Sequence, residues 1–191
     1  MALLASASLA DEATLLERHR HGDAEAFGEL YRHFEMMVYN LALRTCGNAA
    51  DAEDITQETF VRAYRHLQKF KGKSSLKTWI FRIALNCSST RLRRRGRRLA
   101  RQVDDGEAQL ERVSDERRSP EDLLLAADLS AVVRAGLDRL PVRYRQAVLL
   151  RDFEDLTYSQ IAVVLGVRIG TVRSRIARGR EQLRQWLETR I

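Results

Sequence analysis

Apolar residues recur at steps of three and four along most of the chain, the spacing of amphipathic helices rather than strands. Asp23 can cap a helix whose apolar positions are Phe27, Leu30, Tyr31, Phe34, Val38 and Leu41, ending near Gly47. Asn48 opens the next, with Ala52, Ile55, Phe60, Ala63 and Leu67 inward and Asp51, Asp54, Glu58, Arg62 and Arg65 on the other side. After a short loop, Lys69 to Ser74, a third long helix starts near Ser75 and runs into an arginine block. On it Leu76, Ile80, Ile83, Ala84 and Cys87 share one face, and Trp79, Arg82, Asn86, Ser89, Thr90 and Arg93 share another.

The second half divides into four segments: Pro120 to about Asp138, Pro141 to Arg151, Thr157 to Leu165, and about Gly170 to Leu187. Thr157 and Gln160 form a capping box, with Ile161, Ala162 and Leu165 inward. Gly166 supplies a left-handed stop, and Val167 to Ile169 lead tightly into the last helix. This is helix-turn-helix spacing.

Charge separates the halves. Residues 91–101 hold seven arginines in eleven positions, whereas Asp104 to Asp122 holds eight acids against three arginines. The reversal reads as a linker, closed by Ser119, Pro120, Glu121 and Asp122 at a helix start. The whole is all-α: two small helical domains on a flexible linker, with a tail at 1–10, a first domain at 11–98, the linker at 99–119 and a second domain at 120–191. Only 2 Pro and 10 Gly in 191 residues support helices, and a formal charge of +7 points to a polyanionic partner.

The apolar start MALLASASLA lacks the basic residues of an export signal, and no apolar run approaches the about 18 residues that span a bilayer. Neither membrane insertion nor export is expected. Cys46 and Cys87, with no Cys-x-x-Cys motif, argue against a disulfide scaffold or structural zinc and suit a reducing cytoplasm. His19 and His21 have no third ligand in sight, so no metal is expected.

The last helix buries a narrow stripe, Val172, Ile176, Leu183 and Leu187, and turns Thr171, Ser174 and Arg178 the other way, flanked by Arg173 and Ala177. Arginine can bond both acceptors of guanine, serine can bond phosphate or base, and alanine leaves room for a thymine methyl, so this face suits a major groove. The Trp79, Arg82, Asn86, Thr90 and Arg93 face suits unpaired bases, with an aromatic to stack, an amide to bond and cations to follow the backbone. Trp79 fits a core position equally well. The Asp51 to Arg65 stripe, taken alone, reads as solvated surface with a Glu58–Arg62 helical pair.

Two segments, Asp54 to Phe60 (DITQETF) and Phe70 to Asn86 (FKGKSSLKTWIFRIALN), resemble the extracytoplasmic-function sigma factors of bacterial RNA polymerase. The likeness extends upstream to Gly22-Asp23 and Ala26-Phe27. Downstream it takes in Leu140-Pro141, Asp155 to Ala162, and Gly170-Thr171-Val172 with Ser174-Arg175, so about residues 11 to 185 are covered. It implies two helical domains, regions 2 and 4, with no region 3 between them and no N-terminal autoinhibitory domain.

The same resemblance implies roles. Asp51, Asp54, Gln57, Glu58 and Arg62 would seat on the clamp helices of the polymerase beta-prime subunit, and the second domain on the beta flap. Phe70, Lys71, Gly72, Lys73 and Ser74, with Asn86, would hold a base flipped from the -10 element. Trp79 and Arg82 would support the melted strand, with Arg93 and Arg94 among the arginines meeting upstream phosphates. Thr171, Arg173, Ser174, Arg175, Ala177 and Arg178 would read or anchor the -35 element. The acidic linker would thread the polymerase cleft, and an anti-sigma factor is a further implied partner.

Lys73 and Leu76 depart from the family, which more often has an acidic or small residue and Phe there, and Ala177 is smaller than usual. No nucleophile-base pair, phosphate loop or cofactor motif occurs, so neither an enzyme nor a cofactor is expected. A stand-alone helix-turn-helix regulator would share the Thr157 to Arg178 motif but carry a receiver or ligand domain in the first half. A recombinase would need an activated Ser or Tyr.

Overall fold

The structure, a computed structural model, describes residues 9–104 and 122–189, with side chains over 12–97 and 131–189. Most of the tail, most of the linker and the helix start at Ser119 and Pro120 lie outside the described residues, and a helix from Leu9 takes in the last two tail positions.

Every regular element among the described residues is helical. In the first half α1 (Leu9–Arg20), α2 (Ala24–Cys46), α3 (Ala49–Leu67) and α4 (Leu76–Asp104) form one bundle, and α4 carries helix into the first positions assigned to the linker. The second half contains α5 (Asp122–Arg139), α6 (Val142–Val148), α7 (Tyr158–Leu165) and α8 (Ile169–Glu188). The expected caps form: Asp23 Oδ1 accepts from Glu25 N at 2.9 Å, and Asn48 Oδ1 from Asp51 N at 2.7 Å. Gly47 ends α2 at φ 79°, a conformation costly to any residue with a Cβ.

A helix expected to run from Pro141 to Arg151 instead ends at Val148 and passes into a π-turn over Leu149–Phe153. Glu154 N donates five residues back to Leu149 O at 3.2 Å, and Asp155 follows at φ 54°. The widened turn re-aims its side chains, as π-turns do. Asp152 pairs with Arg180 of α8, while Phe153 and Glu154 face the first half.

The stripes expected on α2 and α3 are buried at Leu30, Phe34, Val38 and Leu41, and at Ala52, Ile55, Phe60, Ala63 and Leu67. Helix α4 departs from its expected pattern. Besides Leu76, Ile80, Ala84 and Cys87 it buries Thr78, Phe81, Leu85 and Ser88, which lie about 100° or more farther round the helix. The cause is tertiary: α4 packs on α2 and α3 on one side and on α7 of the second half on the other. Both halves therefore contribute to one hydrophobic cluster, from Phe34 and Phe81 to Leu149 and Ile161. Cys46 and Cys87 are free and share a satellite cluster with Ala42, Ala52 and Ile55. Burial is the main force pushing the Cys46 thiol up to about 11, which keeps it protonated.

Candidate nucleic-acid interface

Helix α8 is positioned by local chemistry on either side. Gln160 N donates to Thr157 Oγ1 at 3.3 Å and Thr157 N to Gln160 Oε1 at 2.8 Å, closing the capping box of α7. Gly166 turns the chain at φ 64°, and α8 starts three residues later. Val172, Ile176 and Gly179 then face inward. At Gly179 a Cβ would stand 2.7 Å from Val148 Cγ2 and 3.3 Å from Tyr144 Cβ, so only glycine permits this crossing of α6 and α8.

With that stripe buried, Arg173, Ser174, Ala177 and Arg178 are exposed, and Thr171 and Arg175 are half-buried at the edge. Leu183 and Leu187, expected to be inward, are only half-buried. Ser174 Oγ donates to Thr171 O at 3.0 Å, leaving its lone pairs outward. The nearby cations of Arg178 and Arg143 hold the Tyr144 hydroxyl below its ordinary pKa, and Arg143 Nη2 donates to it at 3.4 Å. Arg180 and Arg184 are engaged with acids, Asp152 for the first and Glu181 and Glu188 for the second.

The second basic surface belongs to α4. Burial on its two sides leaves one free face, and that face holds Arg82, Asn86 and Arg93 exposed, with Trp79, Ser89 and Thr90 half-buried; Arg94 is exposed about 100° farther round. Thr90 Oγ1 donates to Asn86 O at 2.9 Å and Arg93 Nε to Ser89 O at 3.2 Å, bonds that leave the Asn86 amide untouched. Trp79 lies 5.2 Å from Phe70, ring centre to ring centre, and packs part-buried against the core.

Phe70 corrects the expectation that the whole loop meets DNA. Its side chain is 8% exposed and its carbonyl accepts from Arg20 at 2.9 Å, so it anchors the loop from beneath. Lys71, Gly72 and Lys73 remain exposed beyond it and Ser74 half-buried, with Gly72 turning at φ 67°. Leu76 is likewise core, at 2% exposure, so its difference from the family changes packing and presents no side chain to DNA.

The acidic stripe of α3 is not uniform. Asp54, Gln57, Glu58 and Arg62 are exposed, but Asp51 accepts from Arg91 Nε at 2.6 Å, and Arg91 also reaches Asp54. Burial pushes the Asp51 carboxyl up, yet bonds from Asn48 and Arg91 and the charges of Arg91 and Arg95 outweigh it and hold it below its ordinary value. Asp51 therefore joins α3 to α4. Periodicity also missed the exposed Met36, Val61 and Tyr64. Met36 and Gln57 line a groove of about 250 Å³ between α2 and α3, together with Tyr31 and Glu53. Exposed apolar residues beside charges are an interface signal that sequence spacing alone assigns to noise.

Among the described residues, none of the His, Cys, Asp and Glu side chains cluster to hold a metal ion, and no helix is long and apolar enough to cross a membrane.

Family profiles match both halves: Sigma-70 region 2 over residues 30–98 and Sigma-70 region 4 over residues 130–183. The ECF RNA polymerase sigma factor SigE of Mycolicibacterium smegmatis is 44% identical over 163 residues, covering 85% of this chain. The chain spans 62% of that relative's length. The RNA polymerase sigma-H factor of Pseudomonas aeruginosa is 37% identical over 182 residues, covering 91% of this chain and 92% of its own. Among solved structures, the sigma factor RpoE of Bartonella quintana, in complex with the anti-sigma factor NepR, superposes with a TM-score of 0.70 at 24% identity. That match covers 88% of this chain and 100% of that one.

Proposed function

The chain belongs to the extracytoplasmic-function sigma factors of the sigma-70 family, alternative sigma subunits that direct transcription initiation, and we propose that it divides that task between α3, α4 and α8. The exposed side of α3, Asp54, Gln57, Glu58 and Arg62, docks on the clamp helices of core polymerase, with Met36 and Tyr64 adding apolar contact. Region 4 meets the beta flap. Asn86 captures a base of the -10 element beside the Lys71 to Ser74 loop, and Arg82, Arg93 and Arg94 hold the strand. Arg173, Ser174, Ala177 and Arg178 enter the major groove of the -35 element, with Thr171 and Arg175 at its rim.

The observation that carries this reading is the open face of α4, where packing on both sides leaves Arg82, Asn86 and Arg93 exposed beside the half-buried Trp79, Ser89 and Thr90. Such a surface suits an unstacked strand. A stand-alone regulator of the helix-turn-helix type has no use for it. The chain acts in the cytoplasm as a binding subunit rather than an enzyme, the chemistry belonging to the polymerase. An anti-sigma factor is a further partner, as the Bartonella relative has one.

Run-off transcription with purified core polymerase on a genomic promoter library tests the reading: promoter-specific transcripts are expected, and their absence with a folded chain refutes it. Asp54→Arg with Glu58→Arg should abolish co-purification with core while circular dichroism stays normal. Full retention of binding would return α3 to ordinary surface.

A further inference from the structure

Helix α1 lies ahead of the part of the chain that matches region 2, which begins at residue 30. Its last turn reaches three elements through three successive residues, whose side chains leave the helix about 100° apart. Arg18 fastens it to the start of α2: Nε donates to Asp23 Oδ2 at 2.8 Å and Nη1 to Glu29 Oε1 at 3.0 Å. His19, 7% exposed, lies against Phe27 of α2 and Tyr64 of α3, with ring centres 6.0 and 5.7 Å away. Arg20 turns to the loop before α4, where its Nη2 donates to Phe70 O. Gly22, at φ 89°, then reverses the chain, and Asp23 N donates back to Arg18 O at 3.0 Å. Arg18 and His19 thus fix where α1 ends, and with it the point from which the Arg20 stem starts.

The loop is held differently at its two ends. On the α4 side Ser75 Oγ accepts from Thr78 N at 3.2 Å and Ser75 O from Trp79 N at 3.1 Å, which caps the helix. On the α3 side Phe70 N donates to Leu67 O at 3.0 Å and the Phe70 ring is buried, which leaves the Phe70 carbonyl to Arg20. Between these ends Lys71, Gly72 and Lys73 are exposed, and a Cβ on Gly72 would meet nothing within 4 Å. Residues with so little packing of their own take their position from the ends. A trans peptide is planar and points its C=O and its N–H to opposite sides. The bond from Arg20 to the Phe70 carbonyl therefore also turns the Lys71 N–H away from Arg20.

A carbonyl at this edge could accept from water instead, so what Arg20 adds is direction. Bonds from a guanidinium are charge-assisted, and its planar fork of donors fixes geometry better than a lysine ammonium does. Arg20 is itself exposed, and substitutions at such positions move overall stability little. Its effect falls on the loop. Hydrogen bonds weaken steeply once distance or angle departs from the ideal, so a displaced loop presents its groups to a base at a loss.

We propose that Arg20 is a positioning residue for capture of the -10 base. Acting through the Phe70 carbonyl, it sets the Lys71 to Ser74 loop relative to the open face of α4, and so gives α1 a part in base selection without a contact to DNA. This role rests on the proposed capture of a -10 base by Asn86 and that loop. Arg20 falls outside every candidate set that sequence spacing suggests, because its partner is 50 residues away.

Two measurements on the full chain test it. The first compares wild type with Arg20→Ala by the amide shifts and backbone 15N order parameters of Lys71, Gly72 and Lys73. The second forms holoenzyme with core polymerase and measures binding to pre-melted bubble promoters that carry each of the four bases at the captured position. Arg20→Ala should move the loop signals, with order parameters falling from about 0.85 toward about 0.6. It should also cut the ratio between best and worst base about tenfold, the scale of one hydrogen bond to a charged group, while helicity, core binding and -35 binding hold within about twofold. Arg20→Lys keeps a cationic donor on a long stem and should recover more than half of the lost discrimination.

Loop signals unmoved in a folded Arg20→Ala chain overturn the proposal. So does a loss of equal size for all four bases, which marks a phosphate contact or a charge effect. Wild-type holoenzyme that shows no preference among the four bases refutes the base-capture reading instead, while moved loop signals in Arg20→Ala still uphold Arg20 as the anchor of the loop.

Discussion

Helices α4 and α8 both show solvent an arginine-rich face, yet they are built in opposite ways. Helix α8 is set by neighbours in sequence: the Thr157 capping box, the Gly166 turn and a narrow buried stripe that needs Gly179 to pass close to α6. Helix α4 is set by neighbours in space, buried on one side by its own bundle and on the other by α7. A narrow stripe leaves α8 a wide exposed arc, whereas two buried sides leave α4 a narrow face with few exposed residues.

The sharpest break of that comparison is Asn86→Ala. Extracting a base costs a few kcal/mol that contacts to its edge must offset, so duplex melting should be lost while core binding and -35 binding persist. Permanganate footprinting on duplex promoter reads the loss, and a pre-melted bubble should restore much of the activity. Melting at the wild-type level would make Asn86 a spectator.

Next in size is Gly179→Leu. The added side chain meets Val148 and Tyr144 at once, and overpacking of this kind costs about 1–3 kcal/mol. Thermal unfolding should fall, and -35 affinity with it, because the α6–α8 crossing sets the recognition face. An unchanged melting temperature would mean that the crossing has room to relax.

Arg178→Ala should cost about 1–3 kcal/mol in -35 binding and relax preference at one position if the guanidinium meets a base. A uniform loss across sequences would move it to phosphate. Tyr144→Phe removes the hydroxyl beside Arg178 and should give a weaker version of the same change, measured by binding-site selection on both variants.

The smallest effect concerns Asp51. Its carboxyl is held below the ordinary value, so its contribution is present above the unfolded pKa, about 3.9, and is lost as pH falls through the lower folded value. Asp51→Asn should therefore lower stability at neutral pH by about 1 kcal/mol or less, with the gap to wild type closing at strongly acid pH. A pH-independent difference in denaturant midpoints would show that the Arg91 pairing is not the cause.

Much of this was legible before any coordinates. The ends of α2, α3 and α7 follow from Asp23, Gly47, Asn48, Thr157 and Gly166, because caps and left-handed stops act within a few residues. The inward stripes of α2 and α3 follow from spacing, whereas α7 buries Ile161 and Val164 and leaves Ala162 and Leu165, expected inward, half-buried. Phe70 and Asp51 are less exposed than their sequence context suggests, for a common reason. An aromatic in a basic loop and an acid on a polar stripe look exposed until a partner from elsewhere, Trp79 for one and Arg91 for the other, is brought against them.

The amino-acid sequence by itself determined which segments are helical, where most of them stop, and which face of each turns inward toward its own bundle, since those depend on backbone dihedrals and on periodicity. Only the tertiary structure decided that α4 is buried twice over, that a π-turn aims Glu154 at Lys77 and Arg44, and that Arg145 closes the end of a helix one hundred residues away. The physical reason is range. Hydrogen-bonded caps and helical repeats act over a few residues, whereas burial and charge pairing depend on which surfaces meet.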